Sequence, residues 1–111
     1  MNSVSLIGNL TQDPELSKRG GREVCDLRVA VDGRGDADPV FVDVTTFDGS
    51  ARACAEYLRM GRQVAVDGRL HYSQWEAEDG SRRSRLKIVG NVEFLGPKSQ
   101  NSREPGELAA E

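Results

Sequence analysis

Residues 62–87 read R-Q-V-A-V-D-G-R-L-H-Y-S-Q-W-E-A-E-D-G-S-R-R-S-R-L-K, and this stretch decides the fold. Apolar and polar side chains alternate on both sides of the E-D-G-S segment, which is typical of two strands joined by a turn. Because successive side chains of a strand point to opposite faces, Val64 and Leu70 share one face while Arg69 and Trp75 share the other. The stretch therefore predicts a β-hairpin with an apolar inner face and a basic outer face.

The return strand of this hairpin repeats the pattern. Arg83, Arg85 and Lys87 fall on one side of it, and Leu86 and Ile88 fall on the other. An arginine can bind a phosphate in a bidentate fashion, and an exposed aromatic ring can stack on an unpaired base. The outer face of the hairpin therefore predicts a binding surface for a single-stranded nucleic acid.

Three further strands are predicted from runs of alternating and β-branched apolar residues. They lie at residues 4–10, 24–31 and 40–47. Residues 11–15, which contain a proline, are expected to break the first strand, and K-R-G-G-R at 18–22 is expected to form a flexible basic turn.

One helix is predicted at residues 51–60. A single buried stripe with the spacing i, i+3, i+4, i+7 is formed by Ala51, Cys54, Ala55 and Leu58. Ser50 is positioned to cap the start of this helix, and Gly61 to end it.

Three strands, a helix and two strands are the element order of an OB-fold. The sequence therefore predicts an all-β fold, a five-stranded Greek-key barrel with one helix between strands three and four. Residues 1–96 are expected to form this domain. Residues 97–111 are rich in Gly, Pro, Ser, Asn and Glu and almost free of large apolar side chains, so they are expected to form a disordered tail.

The overall charge gives little direct support for a nucleic-acid partner. The formal net charge is −3 and the sequence pI is about 5.2, which by itself argues mildly against such a partner. The acidic residues, however, gather in loops and near the C-terminal end, whereas basic residues cluster on the outer face of the hairpin. The local charge of this face therefore matters more than the net charge of the chain.

The chain has no secretory signal and no apolar run of membrane-spanning length, so a cytoplasmic, nucleoid-associated location is expected. Its two cysteines, Cys25 and Cys54, lack the spacing of a metal site and lie on apolar stripes. They are expected to be buried, reduced thiols.

Two phenylalanines add to the candidate site. Phe41 and Phe47 fall on the polar face of the strand at 40–47, where each ring either packs beneath a loop or a subunit contact or stacks on a base. Trp75 on a neighbouring strand favours stacking. The predicted nucleic-acid-binding residues are Phe41, Phe47, Trp75, Arg28, Arg34, Arg69, Arg82, Arg83, Arg85 and Lys87.

Several segments resemble the bacterial single-stranded DNA-binding protein (SSB) family. They are residues 2–10 with 13–15, 47–51, 55–61, and 64–70 leading to Trp75. The resemblance implies an OB-fold, sequence-tolerant binding of single-stranded DNA and a homotetramer. It also implies that Phe41, Phe47 and Trp75 occupy the base-stacking positions of the family.

Other residues depart from the family pattern. Phe41 stands where many members have tryptophan, the loop at 32–39 is short, and Asp43 adds an acid to the binding face. The chain ends in E-L-A-A-E in place of the acidic tip of the family. We therefore expect weak or no tail-mediated recruitment of replication and repair proteins.

The function expected from these features is sequence-independent binding and protection of single-stranded DNA in replication, recombination and repair. A related OB module that serves mainly in protein assembly remains an alternative, and RNA remains open beside DNA. An enzyme is not expected, because His71 is the only histidine and has no evident acid or nucleophile partner. The sequence contains no metal-ligand cluster or nucleotide-binding loop, so no cofactor is expected.

Overall fold

The computed structural model describes residues 1–95, and the predicted tail lies outside this range. Six strands and one helix follow one another as β1 Val4–Leu10, β2 Glu15–Arg19, β3 Arg22–Val31, β4 Val40–Phe47, α1 Asp48–Tyr57, β5 Gln63–Glu76 and β6 Arg82–Phe94. The sheet order is β1-β5-β6-β4-β3-β2, and an additional β1–β3 pairing closes the sheet into a barrel. The predicted OB-fold, with its single helix before the long hairpin, is confirmed.

The strand β2 is the main difference from the predicted elements. Residues 15–19 pair with β3 in a hairpin, and Gly20 and Gly21 form its turn with positive φ angles. All five residues of β2 are exposed, so the strand has no apolar alternation that would reveal it in the sequence. The predicted turn is present, but the strand before it was missed, and the barrel carries a sixth strand at its edge.

The helix α1 begins and ends three residues earlier than predicted. Ser50 lies inside the helix and Phe47 is its N-cap residue, without a side-chain capping hydrogen bond, so the prediction of a Ser50 cap is wrong. Gly61 follows the helix by several residues and has a φ of +93°. The buried stripe is confirmed, because Ala51, Cys54 and Leu58 are all fully buried.

The core is built from the inner faces of the strands and the stripe of α1. Its buried residues are Leu10, Cys25, Leu27, Val29, Val44, Ala51, Cys54, Leu58, Val64, Val66 and Ile88. Both cysteines are free and buried, as the sequence predicts. Burial raises the pKa of the Cys25 thiol to about 12 and also raises the pKa of Cys54.

The hairpin of β5 and β6 packs on the core only through its first half. Val64 and Val66 are buried, but Leu70 is 44% exposed and Leu86 is 58% exposed. The predicted apolar inner face therefore packs on the core along only part of its length, because Leu70 and Leu86 are exposed whereas Ile88, opposite Leu70, is buried. Beyond the Leu70–Ile88 pair, in what we call the distal hairpin, both faces are largely exposed to solvent.

Candidate nucleic-acid interface

The outer faces of β3, β4, β6 and β5 form one continuous surface, which we call the outer face. Arg28 of β3 pairs with Asp43 of β4, and Thr45 of β4 pairs with Val89 of β6. Along β6 the same face then passes to the distal hairpin. Because one face continues from strand to strand, residues far apart in sequence share a surface.

The distal hairpin carries the tryptophan and most of the predicted cations. Trp75 is 46% exposed and lies directly opposite Arg83 in the register of the hairpin. His71 faces Lys87 and Ser73 faces Arg85 on the same side. The structure thus places an aromatic ring beside a row of positive charges on a solvent-exposed face.

Arg82 is the predicted hairpin cation that does not join this row. It pairs with Glu76 in the register, one position beyond Trp75 and Arg83, and so points to the opposite face. Its Nη2 donates a hydrogen bond to Gln74 Oε1 at 3.2 Å, and Gln74 belongs to that opposite face as well. The sequence prediction counted Arg82 among the binding cations of the return strand, but adjacent residues of a strand face opposite ways.

Phe41 lies near the start of β4 and is 52% exposed. The guanidinium carbon of Arg28 lies over its ring, 5.5 Å from the ring centroid. Arg28 Nη1 also donates a hydrogen bond to Asp43 Oδ1 at 3.0 Å. The ring, the cation and the carboxylate therefore form a triad on the outer face, which we call the Phe41 triad.

Phe47 forms a second triad at the end of β4, which we call the Phe47 triad. The guanidinium carbon of Arg22 lies over the Phe47 ring at 4.5 Å from its centroid. Arg22 Nη2 donates to Asp48 Oδ2 at 2.8 Å. This hydrogen bond lowers the pKa of Asp48 and raises that of Arg22, so both groups stay charged.

A polar groove lies where β3 and β4 approach β6. Arg85 and Lys87 line one side of it, and Glu15, Asp26 and Asp43 line the rest together with other residues. A phosphate chain that follows this groove meets cations from the hairpin and acids from the barrel. The electrostatics of the surface are thus mixed.

Thr45, which is buried, also lines this groove. Its Oγ1 donates to Asp26 Oδ1 at 2.9 Å, and Asp26 also pairs with Arg19 of β2. The Asp26 carboxylate is therefore already bound by Thr45 and Arg19 within the protein.

The comparison with protein families gives a direct match. A model described as the single-strand binding protein family matches residues 1–95. The chain belongs to this family. A single-stranded DNA-binding protein of Clostridium tetani is 36% identical over 104 residues, which cover 86% of this chain and 70% of the relative.

Further members of the single-strand binding protein family are similar to the same degree. Single-stranded DNA-binding protein 3 of Clostridium acetobutylicum is 36% identical over 109 residues, covering 92% of this chain and 76% of the relative. A single-stranded DNA-binding protein of Staphylococcus aureus is 31% identical over 111 residues, covering 94% of this chain and 71% of the relative. The family to which the sequence segments pointed is confirmed.

Members of the single-strand binding protein family are DNA-binding proteins and not enzymes. The sequence prediction that this protein is not an enzyme agrees with this. His71 is exposed on the hairpin opposite Lys87. Within residues 1–95, no group of three or more potential ligand side chains is arranged to hold a metal ion. No helix in the same range is long and apolar enough to cross a membrane.

The remaining predicted cations are dispersed, and one cation was missed. Arg69 lies opposite Val89 where the hairpin leaves the barrel. Arg34 is in the loop between β3 and β4, where its carbonyl oxygen accepts a hydrogen bond from the amide of Ala37 at 3.0 Å. Arg22 was assigned only to a basic turn, because nothing in the sequence connects it to a ring 25 residues away.

Proposed function

We propose that this protein binds single-stranded DNA without sequence preference and protects it during replication, recombination and repair. The observation that carries the proposal is that Phe41, Phe47 and Trp75 share one continuous outer face and that each has an arginine as a neighbour. The names of the relatives from Clostridium and Staphylococcus support the same ligand.

Binding combines two contributions on this surface. Cations of the distal hairpin, Arg83, Arg85 and Lys87, contact phosphates and release the counterions of the strand. The three aromatic rings stack on bases, and stacking tolerates any base because every base has a π face. A DNA strand that follows the polar groove and the outer face contacts both the cations and the rings. Neither kind of contact reads the edge of a base.

We propose a homotetramer as the assembled form, in agreement with the family. Along residues 4–8, β1 pairs only with β5, so its second edge has no strand partner within the described chain. Ile7 is 54% exposed beside this edge, and a groove lined by Ser5, Ile7 and Ala65, among others, lies next to it. An open edge with exposed apolar side chains favours pairing with a second copy. Light scattering that reports a monomer at micromolar concentration would contradict this proposal.

Titration of the full-length protein with poly-dT tests the binding proposal. We expect quenching of Trp75 fluorescence, because stacking on a base brings the indole into contact with thymine. Parallel titrations with poly-U and with duplex DNA give the preference between DNA and RNA and the requirement for a single strand. Absence of binding to poly-dT at low salt would overturn the proposal, and tighter binding to poly-U than to poly-dT would reassign the ligand to RNA.

A further inference from the structure

Two of the three candidate stacking rings have an arginine guanidinium over them, although Phe41 as a whole is 52% exposed. In the Phe41 triad and in the Phe47 triad, an arginine lies over the ring while an aspartate holds its guanidinium. The two triads use different strands and different arginines, but they have the same composition and order of contacts. Neither Asp43 nor Asp48 was among the predicted site residues.

We propose that in the free protein an arginine held by an aspartate occupies part of each phenylalanine platform, and that a DNA phosphate frees each ring by exchanging with the aspartate. The inference rests on the proposed binding of single-stranded DNA and adds the residues that limit its affinity. In the free state, Asp43 keeps Arg28 over the Phe41 ring. In the bound state, a phosphate takes the place of the Asp43 carboxylate, the guanidinium moves from the ring to the backbone, and a base stacks on Phe41.

The energetics of the exchange make the aspartates a brake on binding. A phosphate that captures Arg28 must first break the ion pair with Asp43, whose side chains are 44% and 35% exposed. The freed carboxylate then remains on the surface beside a polyanion. The loss of the ion pair and the repulsion between the freed carboxylate and the DNA both oppose binding. Removal of the Asp43 charge should therefore tighten binding.

Replacement of Asp43 or Asp48 by asparagine tests whether these carboxylates oppose DNA binding. Asn keeps the size of the side chain, and it tolerates the positive φ of +55° found at Asp48. In anisotropy titrations of the full-length protein with a labelled dT oligomer, we expect Asp43→Asn to bind about 2- to 5-fold more tightly, the factor that corresponds to one exposed ion pair. Asp48→Asn should change the affinity in the same direction.

A charge-matched control separates ion-pair exchange from a general loss of negative charge. Asp38 is exposed in the loop, three residues before Phe41 in the sequence, and makes no ion pair within residues 1–95, so Asp38→Asn should alter the affinity by less than Asp43→Asn does. A double-mutant cycle provides the second control. In an Arg28→Ala background, Asp43→Asn should lose most of its effect, because the arginine that it holds is gone.

The outcomes of this experiment are distinct. Wild-type protein that binds the oligomer, together with an Asp43→Asn variant that binds no more tightly than Asp38→Asn, would overturn the exchange but leave the proposed function intact. An Asp43→Asn effect that persists in the Arg28→Ala background would likewise overturn it. If neither wild type nor any variant binds, the proposed function itself fails. Should Asp43→Asn not fold, the same comparison made with Asp48→Asn and Arg22→Ala decides.

Discussion

Gly68 lies directly opposite Gly90 in the long hairpin, and neither position has room for a side chain. A Cβ atom at Gly68 would lie 2.3 Å from the carbonyl oxygen of Val89, and one at Gly90 would lie 2.3 Å from that of Asp67. This pair lies close to the point where the hairpin leaves the core: Val66 is buried before it, Leu70 is exposed beyond it, and Ile88, opposite Leu70, is still buried. Trp75 lies on the part of β5 beyond this pair, seven residues after Gly68.

A Gly90→Ala substitution should reduce the free energy of unfolding by about 1–3 kcal/mol, since the strands must separate to accept the methyl group. Urea denaturation followed by circular dichroism measures this. The matched control is Gly49→Ala in the first turn of α1, where a Cβ would have only the end of Arg52 within 4 Å. That variant should be neutral or stabilised, because alanine favours a helix more than glycine does. Equal stability of Gly90→Ala and wild type would show that the close approach is easily relieved.

Replacement of Trp75 by alanine should weaken binding to a labelled dT oligomer by about 1–3 kcal/mol, the usual loss for one stacked base. Tyr72→Ala is the control, because Tyr72 is at least as exposed as Trp75 on the same hairpin but points to the opposite face. It should bind nearly as wild type does. Equal losses of affinity in the two variants would mean that the DNA does not bind one face of the hairpin in preference to the other.

The salt dependence of binding should identify the basic face. Each phosphate neutralised on a single strand contributes about 0.7 to the log–log slope, so Arg83→Ala combined with Arg85→Ala should make the slope shallower by up to about 1.4. Arg82→Ala, the neighbouring arginine on the other face, should leave the slope nearly unchanged. A slope that responds to Arg82 more than to the pair would move the DNA path to the opposite face.

The free energy of unfolding should fall at alkaline pH because of the buried thiols. The pKa of Cys25 is raised from 9.0 to about 12 by burial, so the unfolded chain releases this proton at a lower pH than the folded protein does. The contribution of the protonated Cys25 thiol to the free energy of unfolding is fully present below pH 9 and is lost as the pH rises towards 12. Urea titrations at about pH 8 and about pH 10.5 should therefore show a smaller loss for Cys25→Ala than for wild type. An equal loss in both would exclude Cys25 as the cause.

The alternation of residues along the chain determined most of the architecture. Inward positions such as Cys25, Leu27 and Val44 are buried as the period of two requires, and the order of strands and helix led to the barrel. The face that each ring occupies also followed from the sequence, because parity along a strand is a local property. Segments with a strong apolar period could therefore be assigned without knowledge of the tertiary structure.

The tertiary structure alone decided the features that depend on partners distant in sequence. The strand β2 has no buried residue and exists because it pairs with β3, which no local pattern can reveal. Leu70 reads as a core residue by parity, yet it is 44% exposed, although Ile88 directly opposite it is buried in the core. The placing of Arg22 over Phe47 likewise required the register of β3 against β4. Period and propensity act over a few neighbouring residues, whereas burial and ion pairing are set by which strands meet.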